Sequence, residues 1–166
     1  MNPLLPDQTL LAMPAFRFEV SLRQTGSSGG AALCRGAFSE CTGLEATMEP
    51  KVIKVGGSNY GALQRAGSVS FATVVLKRGL TRSRDLFQWF QFFAGGHYAG
   101  RLSAEIEVRD AAGQPVLTWG LERCMPVKFK AADLNARGSD VGIEELHLVH
   151  EGLRLYQTAP EPGGAP

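Results

Sequence analysis

Two eight-residue stretches alternate apolar and polar side chains without an error: Phe16-Arg17-Phe18-Glu19-Val20-Ser21-Leu22-Arg23 and Leu102-Ser103-Ala104-Glu105-Ile106-Glu107-Val108-Arg109. Successive side chains of an extended strand point to opposite faces, so a period of two gathers the apolar members on one side. A helix, with its period of 3.6, would scatter the same residues around its circumference. Each stretch is therefore a strand with one dry face and one wet face. Its backbone also needs partners, so the chain must build an antiparallel sheet packed on one side.

The remaining segments extend this scheme. Residues 35–47 form a second strand, with Gly43 a candidate bulge, and Val69 to Lys77 a third. Asp110-Ala111-Ala112-Gly113 is a hairpin turn into a strand that starts at Val116 and runs through Leu117, Trp119 and Leu121. Pro126 lacks an amide hydrogen and demands a bulge or an edge in that strand. A polar loop covers 131–140. The last strand, 141–156, changes phase, because Val141 and Ile143 lie on one parity and Leu146 and Leu148 on the other. Such a shift predicts a bent, bulged strand.

One helix is expected, over 82–94, with Thr81 or Ser83 as its cap and Gly95-Gly96 as its stop. Leu86, Phe90 and Phe93 form its inward stripe, while Phe87, Trp89 and Phe92 add apolar surface beside it. A single helix on one sheet cannot cover so many aromatic rings, so a second layer or a neighbouring subunit must. Between the second and third strands, residues 49–67 form a Gly-rich connection that carries Val52, Ile53 and Val55. A connection of this length inside a small domain is usually functional or ordered by assembly. The total is a mainly β domain: an antiparallel β-barrel or sandwich of about six strands with one flanking α-helix.

Length and punctuation set the boundaries. The 166 residues fit one domain. Pro3, Pro6 and Pro14 mark a flexible N-terminal arm over 1–14, the β domain occupies 15–156, and TAPEPGGAP closes a disordered tail over 157–166. Seventeen Lys and Arg face sixteen Asp and Glu, for a net charge of +1, which argues against a dedicated nucleic-acid or membrane-surface binder. Three cysteines without CxxC spacing suit a reducing compartment rather than a disulfide framework. No stretch approaches the ~20 apolar residues of a membrane span. The first residues have no Lys or Arg before Arg17 and read poorly as a signal peptide, so synthesis and assembly in the bacterial cytoplasm are expected.

Chemistry is hard to find in this chain. His147 and His150 lie three apart on an expected strand and would point to opposite faces, which disfavours a shared metal. Cys34, Cys41 and Cys124 behave as small apolar residues. Val55-Gly56-Gly57-Ser58-Asn59-Tyr60-Gly61 has a phosphate-loop flavour but lacks the Gly-Lys-Ser/Thr ending and the strand–loop–helix setting. Glu105 and Glu107 share a face, as the solvent carboxylates of any alternating strand do. The Lys77-Arg78 and Arg82/Arg84 cluster has no interleaved aromatics of a nucleic-acid site and reads as an electrostatic contact. No catalytic, metal or cofactor site is expected.

A set of short segments, in order, resembles the tail tube protein family of contractile phages and phage-tail-like injection systems. They are Phe38-Ser39-Glu40-Cys41-Thr42-Gly43-Leu44-Glu45; Leu76-Lys77-Arg78-Gly79-Leu80-Thr81 leading to Asp85-Leu86-Phe87-Gln88-Trp89; Asp110 to Val116 with Trp119; Pro126-Val127-Lys128-Phe129 with Asp133-Leu134-Asn135; and Ile143-Glu144-Glu145-Leu146 with His150-Glu151-Gly152-Leu153. The resemblance implies six copies closing into a ring, with rings stacking into a hollow tube. It further implies a loop, here 48–66, that reaches a neighbouring subunit. Sheath, baseplate and cap proteins would be partners, and cargo or a tape-measure protein would occupy the lumen. Val55, Gly56, Gly57, Ser58, Asn59, Tyr60, Arg78, Trp89 and Phe92 are the expected subunit-interface residues. Alternatives are a baseplate-proximal initiator ring of the same fold, a ring of the type VI secretion kind, and a monomeric β-barrel binding module.

Overall fold

The computed structural model describes residues 17–24, 34–36, 38–57, 61–96 and 101–157. The expected N-terminal arm, the TGSSGG turn and the residues after Gln157 lie outside these. Twelve strands and one helix follow in order: β1 Arg17–Gln24, β2 Cys34–Gly36, β3 Glu40–Thr42, β4 Ala46–Met48, β5 Lys51–Ile53, β6 Leu63–Arg65, β7 Val69–Phe71, β8 Val74–Gly79, α1 Asp85–Ala94, β9 Leu102–Arg109, β10 Pro115–Lys130, β11 Ile143–Val149 and β12 Gly152–Gln157.

The two alternating stretches are β1 and β9, paired antiparallel from Arg17↔Arg109 to Gln24↔Leu102. Their apolar residues Val20, Leu22, Leu102, Ala104 and Ile106 are buried as the period requires. Two layers arise because one long strand serves both. The first half of β10 pairs with β9 and β12, and the second half pairs with β11, which continues through β8 to β3. The corner falls at Leu121–Cys124, where the register shifts and Arg123 adopts φ 51°. Few residues other than glycine take that conformation. Here the Arg123 side chain, Nε 2.7 Å from Glu151 Oε2, and the Glu151 N–H donating to the Glu122 carbonyl at 2.9 Å hold the bend from both strands. Strands that switch layers at such corners build packed sandwiches. Between the layers lie Val74, Leu76, Leu146 and Leu148 from one side and Val20, Ile106, Leu121 and Cys124 from the other, with Leu86 of α1 and Phe38 joining them.

Pro126 sits at a second register shift, between Pro126 and Lys128, as its missing N–H demands. The turn at 110–113 is a tight hairpin: Gly113 has φ 82°, and the Gln114 N–H donates to Asp110 Oδ1 at 2.9 Å.

Three expectations are corrected. Residues 141–156 are two strands, broken at His150–Glu151, and Val141 precedes the first of them. Val141 and Ile143 simply occupy the outer parity, 74% and 39% exposed, whereas Leu146 and Leu148 face inward. The strand expected over 35–47 is split into β2, β3 and β4, with Gly43 at φ 87° turning the chain out of the sheet. A Cβ there would stand 2.1 Å from the Thr73 carbonyl oxygen, so only glycine fits. The strand expected over 69–77 is likewise β7 and β8, separated at Ala72–Thr73. The count of about six strands falls short because three-residue strands are too brief to display a period.

Candidate assembly surfaces

Between Gly43 and Thr73 the described strands pair with one another rather than with the main sheet, while Leu44 and Phe71 still touch the sandwich. β4 pairs β7, with Ala46↔Phe71 and Met48↔Val69, and β5 pairs β6, with Lys51↔Arg65, Val52↔Gln64 and Ile53↔Leu63. The two pairs run in line as one ribbon, joined where the Glu49 N–H donates to the Ser68 carbonyl at 3.2 Å. At about 3.3 Å per residue, its eight-residue arm reaches roughly 26 Å. Between the pairs the register slips by one residue beside Gly67. A Cβ on Gly67 would lie 1.8 Å from the Glu49 carbonyl oxygen, so this glycine permits the two strands to approach.

The ribbon is apolar without being buried. Met48, Val52, Leu63 and Val69 are 52%, 61%, 62% and 52% exposed, with Ile53 and Val55 also exposed. An isolated two-stranded ribbon is marginal in water. Exposed apolar surface of this kind marks an interaction site. In the described residues of the expected loop over 48–66, the chain thus forms paired strands.

The sandwich end of α1 is fixed by charge. Arg78 lies on the inward parity of β8, opposite Glu144 of β11. Its Nε lies 2.5 Å from Glu144 Oε1, and its Nη2 lies 2.5 Å from Asp85 Oδ1 in the first helical turn. Phe38 covers the guanidinium at 5.7 Å. Arg78 and Glu144 are 5% and 6% exposed. Burial opposes the charge, but the two carboxylates outweigh it and hold the guanidinium pKa above its usual range. Arg78, expected at a subunit contact, is buried and paired with Glu144 and Asp85 of its own chain.

Neither Thr81 nor Ser83 caps α1. The capping position is Arg84, without a side-chain bond, and Ser83 Oγ only accepts the Asp85 N–H at 3.4 Å. Leu86 and Phe93 are buried, and Gly95-Gly96 ends the helix. Trp89 packs against the core and meets Phe93 edge-on at 6.1 Å, so it belongs with the inward stripe. The surplus aromatic surface is carried by Phe87 and Phe92, each 47% exposed. Of the remaining expected contact residues, Val55, Gly56 and Gly57 are exposed at the ribbon tip. Ser58, Asn59 and Tyr60 lie outside the described residues.

Sequence reasoning missed Met48, Leu63 and Val69, although aliphatic residues flanking a Gly-rich turn were a usable hairpin signal. In the loop expected over 131–140, Leu134 is 89% exposed. His147 and Glu145 pair on the outer face of β11 at 3.3 Å, while His150 is buried, its Nδ1 2.9 Å from the Gly152 carbonyl and its ring 5.0 Å from Phe71. Among the described residues no group of three His, Cys, Asp or Glu side chains is placed to hold a metal.

The sequence model of the T4-like virus tail tube protein gp19 family matches residues 14–154. The chain belongs to this tail tube family. Solved structures agree with that assignment. A chain in the baseplate of the anti-feeding prophage, 6-fold symmetrised, superposes with a TM-score of 0.75 at 26% identity, over 89% of this chain and 98% of that one. A chain in the sheath–tube complex of the PVC extracellular contractile injection system, in its extended state, gives 0.73 at 17% identity, over 90% and 95%. Hcp1 from Flavobacterium johnsoniae gives 0.52 at 12% identity, over 82% and 93%. The last two show a shared fold. Among curated proteins no sequence matches the chain. As a tail tube protein it is a structural component of a phage-tail-like particle, in the inner tube.

Proposed function

We propose that this tail tube protein closes into six-membered rings that stack into the hollow inner tube of a contractile injection particle. A surrounding sheath would drive the rigid tube through a target envelope, and cargo or a tape-measure protein would occupy its lumen. The ribbon over 46–71 carries the reading, since a domain with a complete core gains nothing in isolation from a long, apolar, unburied arm. A head-to-tail contact made through such an arm closes into a ring when its rotation fits and propagates as a filament when it does not. Pairing between copies also removes the strand edges that would otherwise aggregate. Assembly in the bacterial cytoplasm, partnership with sheath, baseplate and cap proteins, and a purely mechanical, non-catalytic role complete the proposal.

The likeness to a chain of a baseplate structure at 26% identity supports a second reading, an initiator ring next to the baseplate. Negative-stain microscopy of the purified protein separates the two. Long stacked tubes indicate the main subunit, and single rings indicate the initiator. A monodisperse monomer by light scattering at every concentration would overturn both in favour of a binding module.

A further inference from the structure

The outer strand pair of the ribbon, β5 and β6, contains an electrostatic conflict. Lys51 and Arg65 are directly opposite each other across β5 and β6, so both cations stand on one face. Like charges in that position repel and destabilise a two-stranded pair. Neither makes an ion pair among the described residues, and neither does Glu49, the nearest carboxylate along the strand. Ile53 and Leu63, 38% and 62% exposed and also opposite each other, share that face by the period of two. That face of β5 and β6 is therefore a surface of two cations and two aliphatic side chains, complementary to two carboxylates beside an apolar floor.

Such a surface exists at the other end of the sandwich. The loop between β10 and β11 forms an open cleft of about 340 Å³ with Asp133 and Asp140 on its rim and Val141 and Ile143 beside them. Lys130 and Glu145 also line it. Asp133 is 3.5 Å from Lys130, Glu145 is 3.3 Å from His147, and Asp140 has no ion pair among the described residues. The loop is pre-shaped: the Arg137 N–H donates to Asn135 Oδ1 at 3.0 Å, and the Leu80 N–H donates to the Gly142 carbonyl at 2.7 Å. The ribbon departs next to Val74, at the start of β8, whereas the cleft adjoins Ile143, which pairs with Gly79 at the end of β8. Ribbon and cleft thus sit at opposite ends of one strand.

We propose that the Lys51/Arg65 face of the ribbon docks in the Asp133/Asp140 cleft of a second copy. The contact rests on the tube reading and assigns the acceptor for its arm. It is head-to-tail, and a docked pair keeps one free ribbon on one copy and one free cleft on the other, so it propagates.

Charge reversal with reciprocal rescue tests it, with assembly read by sedimentation velocity and negative-stain microscopy on the full chain. Lys51→Glu with Arg65→Glu, and separately Asp133→Lys with Asp140→Lys, are expected to stay soluble with wild-type circular dichroism. Each pair is expected to lose at least tenfold of the assembled mass. Combining all four substitutions in one chain is expected to restore assembly. Assembly of either double variant at the wild-type level overturns the proposal, and so does failure of the fourfold variant to recover. If the unaltered chain itself never exceeds a monomer, the tube reading fails as well, an outcome distinguishable from the first two.

Discussion

Arg78 shows how a residue's role depends on what folds over it. As sequence, it belonged to a basic cluster. In the fold, β8 and β11 bring it opposite Glu144, and the first turn of α1 delivers Asp85. Arg78→Met leaves two carboxylates without their cation, one of them buried, and is expected to destabilise the domain by about 3–5 kcal/mol. Urea unfolding reads this as a fall in midpoint at constant slope, and a loss under about 1 kcal/mol would contradict the clamp. The half-buried thiol of Cys41 and the buried thiol of Cys124 make a second residue-scale prediction. Burial pushes Cys41 up to about 11 and Cys124 up to about 12 from 9.0. A native state that binds these protons more tightly than the unfolded chain loses stability as pH rises through 9 toward 11. Below pH 9 the thiols contribute nothing to that slope. At pH 8 both are expected to resist a disulfide reagent until the protein is unfolded, since the thiolate is the reactive form.

At the scale of elements, the helix and the ribbon divide the aromatic and aliphatic surplus differently. Trp89 packs on the core, so Trp89→Glu is expected to unfold the protomer, whereas Phe92→Glu, at a half-exposed position, is expected to leave it folded. Thermal melts of the two variants decide this, and equal melting points would refute the division. Gly43 and Gly67 are a parallel pair. Gly43→Ala forces a side chain against the Thr73 carbonyl at the root of the ribbon and is expected to cost at least about 1 kcal/mol of domain stability. Gly67→Ala forces one against Glu49 within the arm and is expected to spare domain stability while blocking assembly, because the ribbon packs outside the core. The helix, its glycine stop and Leu86 and Phe93 of its inward stripe were legible in the sequence, whereas Trp89, expected beside the stripe, packs on the core. The helix cap was not legible, because the hydroxyl residues at 81 and 83 outline a start at 82, whereas the helix begins three residues later, at Asp85, whose carboxylate pairs with Arg78.

For the molecule as a whole, deletion of residues 54–61 is expected to leave a β-rich circular dichroism spectrum and abolish tubes, and tubes of normal length from that variant would remove the ribbon from assembly. What the sequence determined alone is whatever lives in local period and local stereochemistry. Strict alternation specified β1 and β9 with their buried faces, Asp110–Gly113 specified a hairpin, and Pro126 specified an irregularity in β10, because each depends on neighbours within a few bonds. The ordered family segments added the tube. Tertiary structure decided the rest. The bend of β10 that makes two layers from one strand, the internal pairing of Arg78, and the emergence of residues 46–71 as an arm all rest on contacts between residues far apart in sequence. A three-residue strand has no period to read, and a charge has no assigned partner until the chain has closed around it.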